Sequence, residues 1–308
     1  MHPAALPNGL TQQQLRLQPD ARGRLAVDPA RAGWRYLSFR ALTLERATDE
    51  ALDPEQEHVV VVIHGADVRL VSGAGQLAGA ASLAGAAVQA IAMGRPSPFV
   101  SLPAALYIPP GCGGSLRLLD GAGDARSLVA IASAPPSGRT GTAQQPIVIN
   151  RDDIRVEARG AGNAARQVNH IVAPDFPADR LEVVEVLTPS GNWSSWPPHK
   201  HDVDAPPDEA VLEEIYFYQF GRPTAWGIQR LYRPDRGRDC MWEVHSGEVI
   251  LVTDGYHPFA AAHGDDAYYL NALAGDRRTM ACSFDPDYDW VRDTWPNLPP
   301  DARIPLVR

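Results

Sequence analysis

The chain has 308 residues, which suits two domains of average size, and 44% of them are hydrophobic. Its formal charge is −9 and its 28 lysines and arginines are scattered, which argues against a nucleic-acid partner. The most apolar run, Val59–Ile63, is too short to span a bilayer, and residues 1–20 carry no export signal. We therefore expect a soluble, cytoplasmic protein with no membrane partner.

Short β-strand patterns begin early in the chain. Residues 1–32 are polar, and we expect them to form an arm or an edge strand. The β-branched run His58–Ile63 predicts a buried strand, with Val68–Val71 as its hairpin partner. Residues 73–94 are rich in alanine and glycine and fit either a short helix or weak strands. Further strand patterns in this half are Tyr36–Leu42, Leu106–Ile108, Ser115–Leu119 and Ser127–Ala134.

Residues 135–146, APPSGRTGTAQQ, predict an exposed linker, so we expect one domain over residues 1–140 and another over residues 141–308. The second half has strand patterns separated by Gly, Pro and Asp. They are Leu181–Leu187, Ile215–Phe220, Ala225–Tyr232, Met241–His245, Val249–Val252 and Tyr268–Leu273. Many short strands without a long amphipathic helix predict an all-β sandwich or barrel.

Possible metal ligands cluster between residues 199 and 214. His199 and His201 are two residues apart, so in a strand they project to the same side. Glu213 and Glu214 are adjacent, and alternation allows only one of them to join the histidines, without saying which. A lone histidine is more often a surface or core residue than a ligand. The pair, a carboxylate and the later His257 together predict a site for Zn, Fe, Mn, Ni or Co.

Two motifs resemble those of the cupin superfamily. His199-Lys200-His201 followed by EEIYFY resembles the first cupin metal motif, and Gly247–His257 resembles the second, although Thr253 stands where proline is usual. The chain is more specifically similar to the 5-deoxy-glucuronate isomerase family of myo-inositol catabolism, most densely between Arg166 and Trp290. The segments that carry this similarity are GNWSS at 191–195, PPHKHD at 197–202, QRLY at 229–232, GYHP at 255–258 and YYLN at 268–271.

The resemblance implies a bicupin with two double-stranded β-helix barrels, the first without metal. It implies that His199, His201, Glu214 and His257 hold the divalent metal, and it thereby selects Glu214 over Glu213. The implied activity is the aldose–ketose isomerisation of 5-deoxy-D-glucuronate, a small sugar acid, to 5-dehydro-2-deoxy-D-gluconate. We also expect a homo-oligomer, of a size that the sequence leaves open.

The residues that contact the substrate are less clearly indicated. We assign Gln229, Arg230 and Tyr269 as candidate catalytic residues, with Arg230 or Lys200 as a cation for the substrate carboxylate. Gln229 and Arg230 are adjacent, so both should not face the lumen. Glu185 and Tyr232 lie on further strands expected to line the barrel. Alternative functions are isomerisation of a related uronate, oxygen-consuming dioxygenase chemistry at iron, and metal or sugar binding without catalysis.

Overall fold

The structure is a computed structural model that describes residues 10–71, 89–119, 125–235 and 237–308. Strands dominate this part of the chain. The first eleven are β1 (Arg16–Leu17), β2 (Leu25–Val27), β3 (Ser38–Glu45), β4 (Glu50–Leu52), β5 (Glu57–Gly65), β6 (Val68–Val71), β7 (Gln89–Ala92), β8 (Ala105–Ile108), β9 (Gly114–Leu118), β10 (Arg126–Ala134) and β11 (Ile147–Ile149). The next twelve are β12 (Arg155–Arg159), β13 (Arg166–Val172), β14 (Leu181–Thr188), β15 (Trp193–Ser194), β16 (His199–Lys200), β17 (Leu212–Phe220), β18 (Gly227–Tyr232), β19 (Asp239–Val244), β20 (Val249–Val252), β21 (Phe259–Ala261), β22 (Ala267–Gly275) and β23 (Ser283–Phe284).

The helices in the described residues are short. They are the α-helices Gln12–Leu15 and Pro29–Ala32 and the 3₁₀-helices Arg151–Asp153, Gly162–Ala164 and Asp289–Asn297. Both α-helices begin at a capping side chain, since Thr11 and Asp28 accept hydrogen bonds from backbone N–H groups of the first turn. Across the described ranges, no helix combines the length and apolarity needed to span a lipid bilayer. The predicted all-β class is confirmed.

The strands form the same antiparallel pattern twice. In the first half a larger sheet has the order β11-β8-β5-β10-β3-β2, and a smaller sheet has the order β4-β9-β6-β7. In the second half the larger sheet has the order β1-β20-β17-β22-β14-β13-β12, and the smaller sheet has the order β15-β21-β18-β19. The two smaller sheets have four strands each, and the larger sheets differ by one strand, β12, which extends the sheet of the second half. A fifth sheet joins β16 to β23.

Two edge strands connect the halves. The N-terminal strand β1 pairs with β20 of the second half, with Arg16 opposite Ile250. Strand β11, which follows the linker, pairs with β8 of the first half. The edge strand expected within residues 1–32 is confirmed for residues 16–17, whereas residues 1–9 lie outside the described residues. The domain boundary after residue 140 stays a prediction. Strand β1 lies before it and pairs with the second half, whereas β11 lies after it and pairs with the first half.

The larger sheets pack on each other through a shared core. Phe39 of β3 and Phe217 of β17 have ring centroids 5.6 Å apart. In the same layer, the guanidinium of Arg95 forms a bidentate ion pair with Glu185 of β14, with distances of 3.1 and 2.7 Å, and neither side chain is exposed. Because side chains of β14 alternate, the opposite face of this strand is left for a separate cavity.

Most predicted strands are present, with shifts of a few residues at their ends, and Val68–Val71 and Val249–Val252 agree in both bounds. The predicted hairpin between His58–Ile63 and Val68–Val71 is wrong, because β6 pairs with β7 and β9 in the smaller sheet. Strands β12 and β13 had no counterpart among the predictions. Residues 73–88 of the Ala- and Gly-rich stretch lie outside the described residues.

Candidate metal centre

One face of the larger second-half sheet forms the floor of a cavity of about 640 Å³. The residues that line it are two apart within each strand, as expected for side chains on the same face of a sheet. They are Arg166 and Val168 of β13, Val184 and Val186 of β14, Leu212, Glu214 and Tyr216 of β17, and Tyr269, Asn271 and Leu273 of β22. The cavity therefore lies on the side of the sheet opposite the Arg95–Glu185 ion pair.

Two loop-like segments form most of the remaining walls. The segment that contains β16 contributes Ser195, Trp196, His199 and His201. The C-terminal segment contributes Met280, Ala281, Cys282, Phe284, Arg292 and Trp295. The short pairing of β16 with β23, in which His199 lies opposite Phe284, holds these walls together. The histidines therefore lie between the sheet and a covering segment.

A compact set of potential metal ligands lies at the wall of this cavity, which His201 and Glu214 line, with His257 buried beside them. Candidate ligand atoms of His201, Glu214 and His257 all lie within 4.8 Å of one another, and all three residues are buried. Oε2 of Glu214 is 2.8 Å from Nε2 of His201 and 3.3 Å from Nε2 of His257. The ring of His199 is 4.6 Å from that of His257, between centroids, although His199 is outside the compact set. The structure thus brings the four predicted ligands to one place.

Hydrogen bonds fix which nitrogen of two histidines faces this centre. Nδ1 of His201 is 3.0 Å from the carbonyl oxygen of Leu212, and Nδ1 of His257 is 3.0 Å from that of Gly255. A carbonyl accepts, so each neutral ring carries its proton on Nδ1 and directs the lone pair of Nε2 at Glu214. This is the arrangement in which histidines bind metals.

The donor set fits a divalent cation. With Nδ1 protonated, Nε2 of His201 and the Glu214 carboxylate would face each other as two acceptors, so a proton or a metal ion is needed between them. Nε2 of His257 is buried and makes no hydrogen bond with any described residue. A buried imidazole nitrogen with a free lone pair beside a carboxylate is a donor set that fits a divalent cation.

Electrostatics keep two of the imidazoles neutral. Burial, with repulsion from His201, lowers the pKa of His199 to about 3. Burial, with repulsion from His199, lowers the pKa of His257 to about 3. Burial also acts to lower the pKa of His201, but the hydrogen bond and charge of Glu214 outweigh it and raise that pKa. Neutral imidazoles and one carboxylate are the ligand forms that a metal requires.

The two adjacent glutamates face opposite sides of β17, as alternation requires. Glu214 lines the cavity, whereas the carboxylate of Glu213 accepts hydrogen bonds from the backbone N–H groups of residues 35, 36 and 37, at 2.6 to 2.9 Å. Glu213 therefore attaches β17 to the first half of the chain. Glu214, the residue that the family resemblance selected, is the one beside the histidines.

Gln229 is buried next to the centre rather than exposed to the cavity. Its Oε1 accepts a hydrogen bond from the hydroxyl of Tyr218 at 2.8 Å, and its Nε2 donates to the carbonyl of His257 at 2.8 Å. Since both ends of the amide are occupied by protein groups, Gln229 orients the backbone of His257. Its predicted contact with substrate is not what the structure shows.

Arg230 lies outside the cavity, which corrects the sequence-based assignment. It forms a bidentate ion pair with Asp239 at 2.8 and 2.6 Å on the outer face of the smaller sheet. Lys200 is likewise engaged, with Asp202 at 2.7 Å and Glu209 at 2.8 Å. Neither cation is therefore available for a carboxylate in the cavity, because each is neutralised by acidic neighbours.

The other strand residues considered from the sequence divide between cavity and core. Tyr269 lines the cavity, and its hydroxyl donates to Oγ of Ser194 at 3.0 Å. Glu185 lies on the opposite face with Arg95, and the hydroxyl of Tyr232 donates to Asp285 at 2.5 Å. Of these three residues, Tyr269 borders the cavity. Glu185 lies on the opposite face of its strand, and Tyr232 lies in the smaller sheet, where it contacts Asp285.

Sequence reasoning missed the arginines of the cavity. Arg159 and Arg166 lie on β12 and β13, two strands without a predicted counterpart, and Arg292 lies on the C-terminal 3₁₀-helix. Strand β13 is buried on both faces but carries Arg, Gln, Asn and His, so its sequence lacks the apolar pattern of a buried strand. The segment RQVNHIV has no regular alternation of polar and apolar residues, so no local signal marks this strand.

Comparison with known proteins identifies the family to which the sequence is similar. Residues 11–291 match the KduI/IolB family. The chain is 35% identical over 279 residues to the 5-deoxy-glucuronate isomerase of Geobacillus kaustophilus, which covers 90% of this chain and 93% of that protein. It is similar to the crystal structure of an IolB-like protein from Salmonella typhimurium, with a TM-score of 0.77, 30% identity and coverage of 90% and 98%.

A more distant structural likeness concerns the fold alone. The oxalate decarboxylase of Lactobacillus farciminis matches with a TM-score of 0.57 at 10% identity, over 88% of each chain. This places the all-β architecture among cupin-type folds. The family match covers most of the sequence and includes the cavity strands β12 to β22. The chain belongs to the KduI/IolB family.

Proposed function

We propose that this protein is a divalent-metal-dependent aldose–ketose isomerase that converts 5-deoxy-D-glucuronate to 5-dehydro-2-deoxy-D-gluconate. Its membership of the family and its similarity to a protein named 5-deoxy-glucuronate isomerase support this substrate. The observation that carries the proposal is the set of His201, Glu214 and His257, whose ligand atoms lie within 4.8 Å of one another beside a cavity of about 640 Å³. Such a cavity accommodates a small sugar acid.

The reaction moves hydrogen within one molecule. The aldehyde carbon gains hydrogen and becomes an alcohol, and the neighbouring alcohol carbon loses hydrogen and becomes a ketone, so no external oxidant is needed. A divalent metal held by His199, His201, Glu214 and His257 would supply Lewis-acid stabilisation of charge on the two adjacent oxygens. The chain's own contribution is to fix the ligand orientation through the carbonyls of Leu212 and Gly255.

Two tyrosine hydroxyls in the cavity form hydrogen bonds with neighbouring serines. The hydroxyl of Tyr216 is 2.7 Å from Oγ of Ser195, and Tyr269 contacts Ser194. Burial and the charge of Glu214 hold the pKa of Tyr216 well above its usual value, and burial raises that of Tyr269. Both phenols therefore stay protonated, so they orient substrate hydroxyls rather than abstract a proton.

The test is turnover of 5-deoxy-D-glucuronate by purified protein without oxygen, before and after chelation. We expect activity to disappear on chelation and to return when metal is added. His201→Ala should lower kcat/KM by at least about 100-fold through loss of the metal. His245→Ala is the control, because His245 is partly exposed and contacts Glu243 outside the cavity.

Other outcomes would identify the competing functions. Product formation that requires oxygen would indicate a dioxygenase, and bound metal without turnover of this or related uronates would indicate a binding protein. Turnover in D₂O separates two mechanisms, since transfer of a proton through a base allows incorporation of solvent deuterium and a hydride shift does not.

We further propose a bicupin organisation, with a metal-free barrel over residues 1–140 and a metal-binding barrel over residues 141–308. The repeated strand order of the two halves supports this organisation. A cytoplasmic homo-oligomer with a small-molecule sugar acid and no nucleic acid or membrane as partner completes the proposal. Analytical ultracentrifugation tests the oligomeric state, and a purely monomeric protein at micromolar concentration would contradict it.

A further inference from the structure

Arg166 is a buried cation on the wall of the cavity. The residue is 6% exposed and lines the same space as His199, His201 and Glu214. Among the described residues, no carboxylate forms an ion pair with it. The charge of Glu157 acts on Arg166, but the oxygens of Glu157 are already 2.8 Å and 2.9 Å from the guanidinium of Arg159 and 2.8 Å from His170.

The backbone around Arg166 holds its guanidinium in one orientation. Nη1 donates to the carbonyl oxygens of Ala164 at 3.1 Å and Trp196 at 3.0 Å. Gly160, at φ +79°, packs so closely that an added Cβ would be 2.8 Å from this nitrogen. A guanidinium has five N–H groups, and those on Nε and Nη2 have no hydrogen-bond partner in the described part of the chain. One edge of the fork is therefore fixed and the rest is free for a ligand.

A buried charge without a counter-charge is costly, which implies that its partner arrives from outside the chain. Burial, the largest influence, lowers the pKa of Arg166 to about 10, and the neighbouring Arg159 adds to this effect. Even so, Arg166 remains charged at neutral pH. The ligand that best matches a fixed guanidinium is a carboxylate, which can accept two parallel hydrogen bonds.

We propose that Arg166 binds the carboxylate of the sugar-acid substrate and thereby directs the aldehyde end towards the histidine centre. This inference rests on the proposed function. Arg166 and His199 line the same cavity, and Arg166 donates to the carbonyl oxygen of Trp196, three residues before His199, so one small molecule can contact both ends. A neutral sugar lacks the group that compensates Arg166, which gives the site its selectivity for acids.

The other arginines of the cavity fit this role less well. Arg159 and Arg292 already contact Glu157 and Asp289, and their side chains are 38% and 47% exposed. They lie towards the entrance, where solvent screens their charge. Arg166 is thus the one cavity arginine within the described ranges that is both buried and without an acidic partner.

The test compares binding of D-glucuronate and D-glucuronamide to the metal-loaded protein by calorimetry. The amide is neutral and has nearly the same shape, so the comparison isolates the carboxylate. The unmodified protein should prefer glucuronate by about 10- to 100-fold, as a charged hydrogen-bonded pair provides. Arg166→Gln should abolish this preference and leave binding of the amide within about twofold.

Two further variants complete the design. Arg230→Gln removes an arginine outside the cavity and should keep the full preference. Arg166→Lys keeps the charge without the fork and should keep a preference reduced by roughly tenfold. The thermal midpoint and metal content of each variant establish that it is folded and loaded.

These measurements separate the two proposals. Equal binding of acid and amide by the unmodified protein, or an unchanged preference in Arg166→Gln, overturns the carboxylate site whatever the activity. Failure to isomerise 5-deoxy-D-glucuronate overturns the proposed reaction but leaves the binding comparison intact. Where turnover is present, Arg166→Gln should raise KM by about 10- to 100-fold while changing kcat much less.

Discussion

Glu57 and Glu213 each accept hydrogen bonds from three consecutive backbone N–H groups of the other half of the chain. Glu57 of β5 accepts hydrogen bonds from the backbone N–H groups of residues 179, 180 and 181 at 2.6 to 2.9 Å. Glu213 of β17 accepts from residues 35, 36 and 37. Each glutamate therefore binds the backbone that leads into a strand of the opposite larger sheet, β14 or β3.

Removing either carboxylate should loosen the connection between the halves. An amide has one acceptor oxygen instead of two, so Glu57→Gln and Glu213→Gln should each lower the free energy of unfolding by about 1–3 kcal/mol. Urea unfolding measures this loss. Glu214→Gln is the matched variant: it should reduce metal content strongly, whereas Glu213→Gln should not. Equal metal loss in both variants would contradict the separation of the two glutamates.

Gln229 should control metal affinity without touching the metal. Its amide joins the hydroxyl of Tyr218 to the backbone carbonyl of His257, so Gln229→Leu releases that backbone. We expect metal affinity to fall by about 10- to 100-fold, as for other residues that orient ligands. Competition with a chelating dye measures the affinity. Arg230→Gln alters the adjacent residue on the outer face and should leave the affinity unchanged, and a similar loss there would refute this role.

Removing one partner of the Arg95–Glu185 pair should lower the free energy of unfolding much more than replacing both partners with apolar residues. Both side chains are fully buried, and Glu185 also accepts from Asn169 at 2.8 Å. Arg95→Met leaves an unpaired buried carboxylate and should cost about 3–5 kcal/mol of unfolding free energy. The double variant Arg95→Met with Glu185→Leu should recover most of that loss. A double-mutant cycle measures the coupling, and simple additivity of the two changes would disprove it.

Glu182 should make stability depend on pH. It is 1% exposed, and neither carboxylate oxygen has a well-formed hydrogen bond with a described residue, although the backbone N–H of Thr279 favours the charged form. Burial raises the pKa of this group to about 7, above its value of roughly 4.3 in the unfolded chain. The folded state therefore binds the proton more tightly, so stability is lost as pH rises through this interval.

Glu182→Gln removes this titration. Relative to the variant, the unmodified protein should lose about 3 kcal/mol of unfolding free energy between pH 4.5 and pH 8. The difference between the two unfolding curves across that range is the measurement, because other titrating groups cancel in it. A difference that is flat with pH would show that Glu182 is not protonated at neutral pH in the folded protein.

The order of polar and apolar residues along the chain predicted those strands in which apolar residues either alternate with polar ones or are consecutive. Val59–Ile63 and Val249–Val252 are examples, since β-branched residues favour extended backbone whatever their partners are. Strand β13 escaped prediction because its polar residues are satisfied by distant groups. Gln167, for instance, bonds to the backbone of Leu306 and Val307 and to the side chain of Asn169. Such long-range compensation is invisible in a window of neighbouring residues.

The sequence by itself determined the β class, the common side of His199 and His201, and the rule that only one of Glu213 and Glu214 could join them. These conclusions follow from the two-residue period of a strand, which is a local property. Tertiary structure decided which face of each strand meets the cavity. It placed Arg230 with Asp239 and Arg166 with the histidines, because the pairing of strands far apart in sequence determines where each face lies.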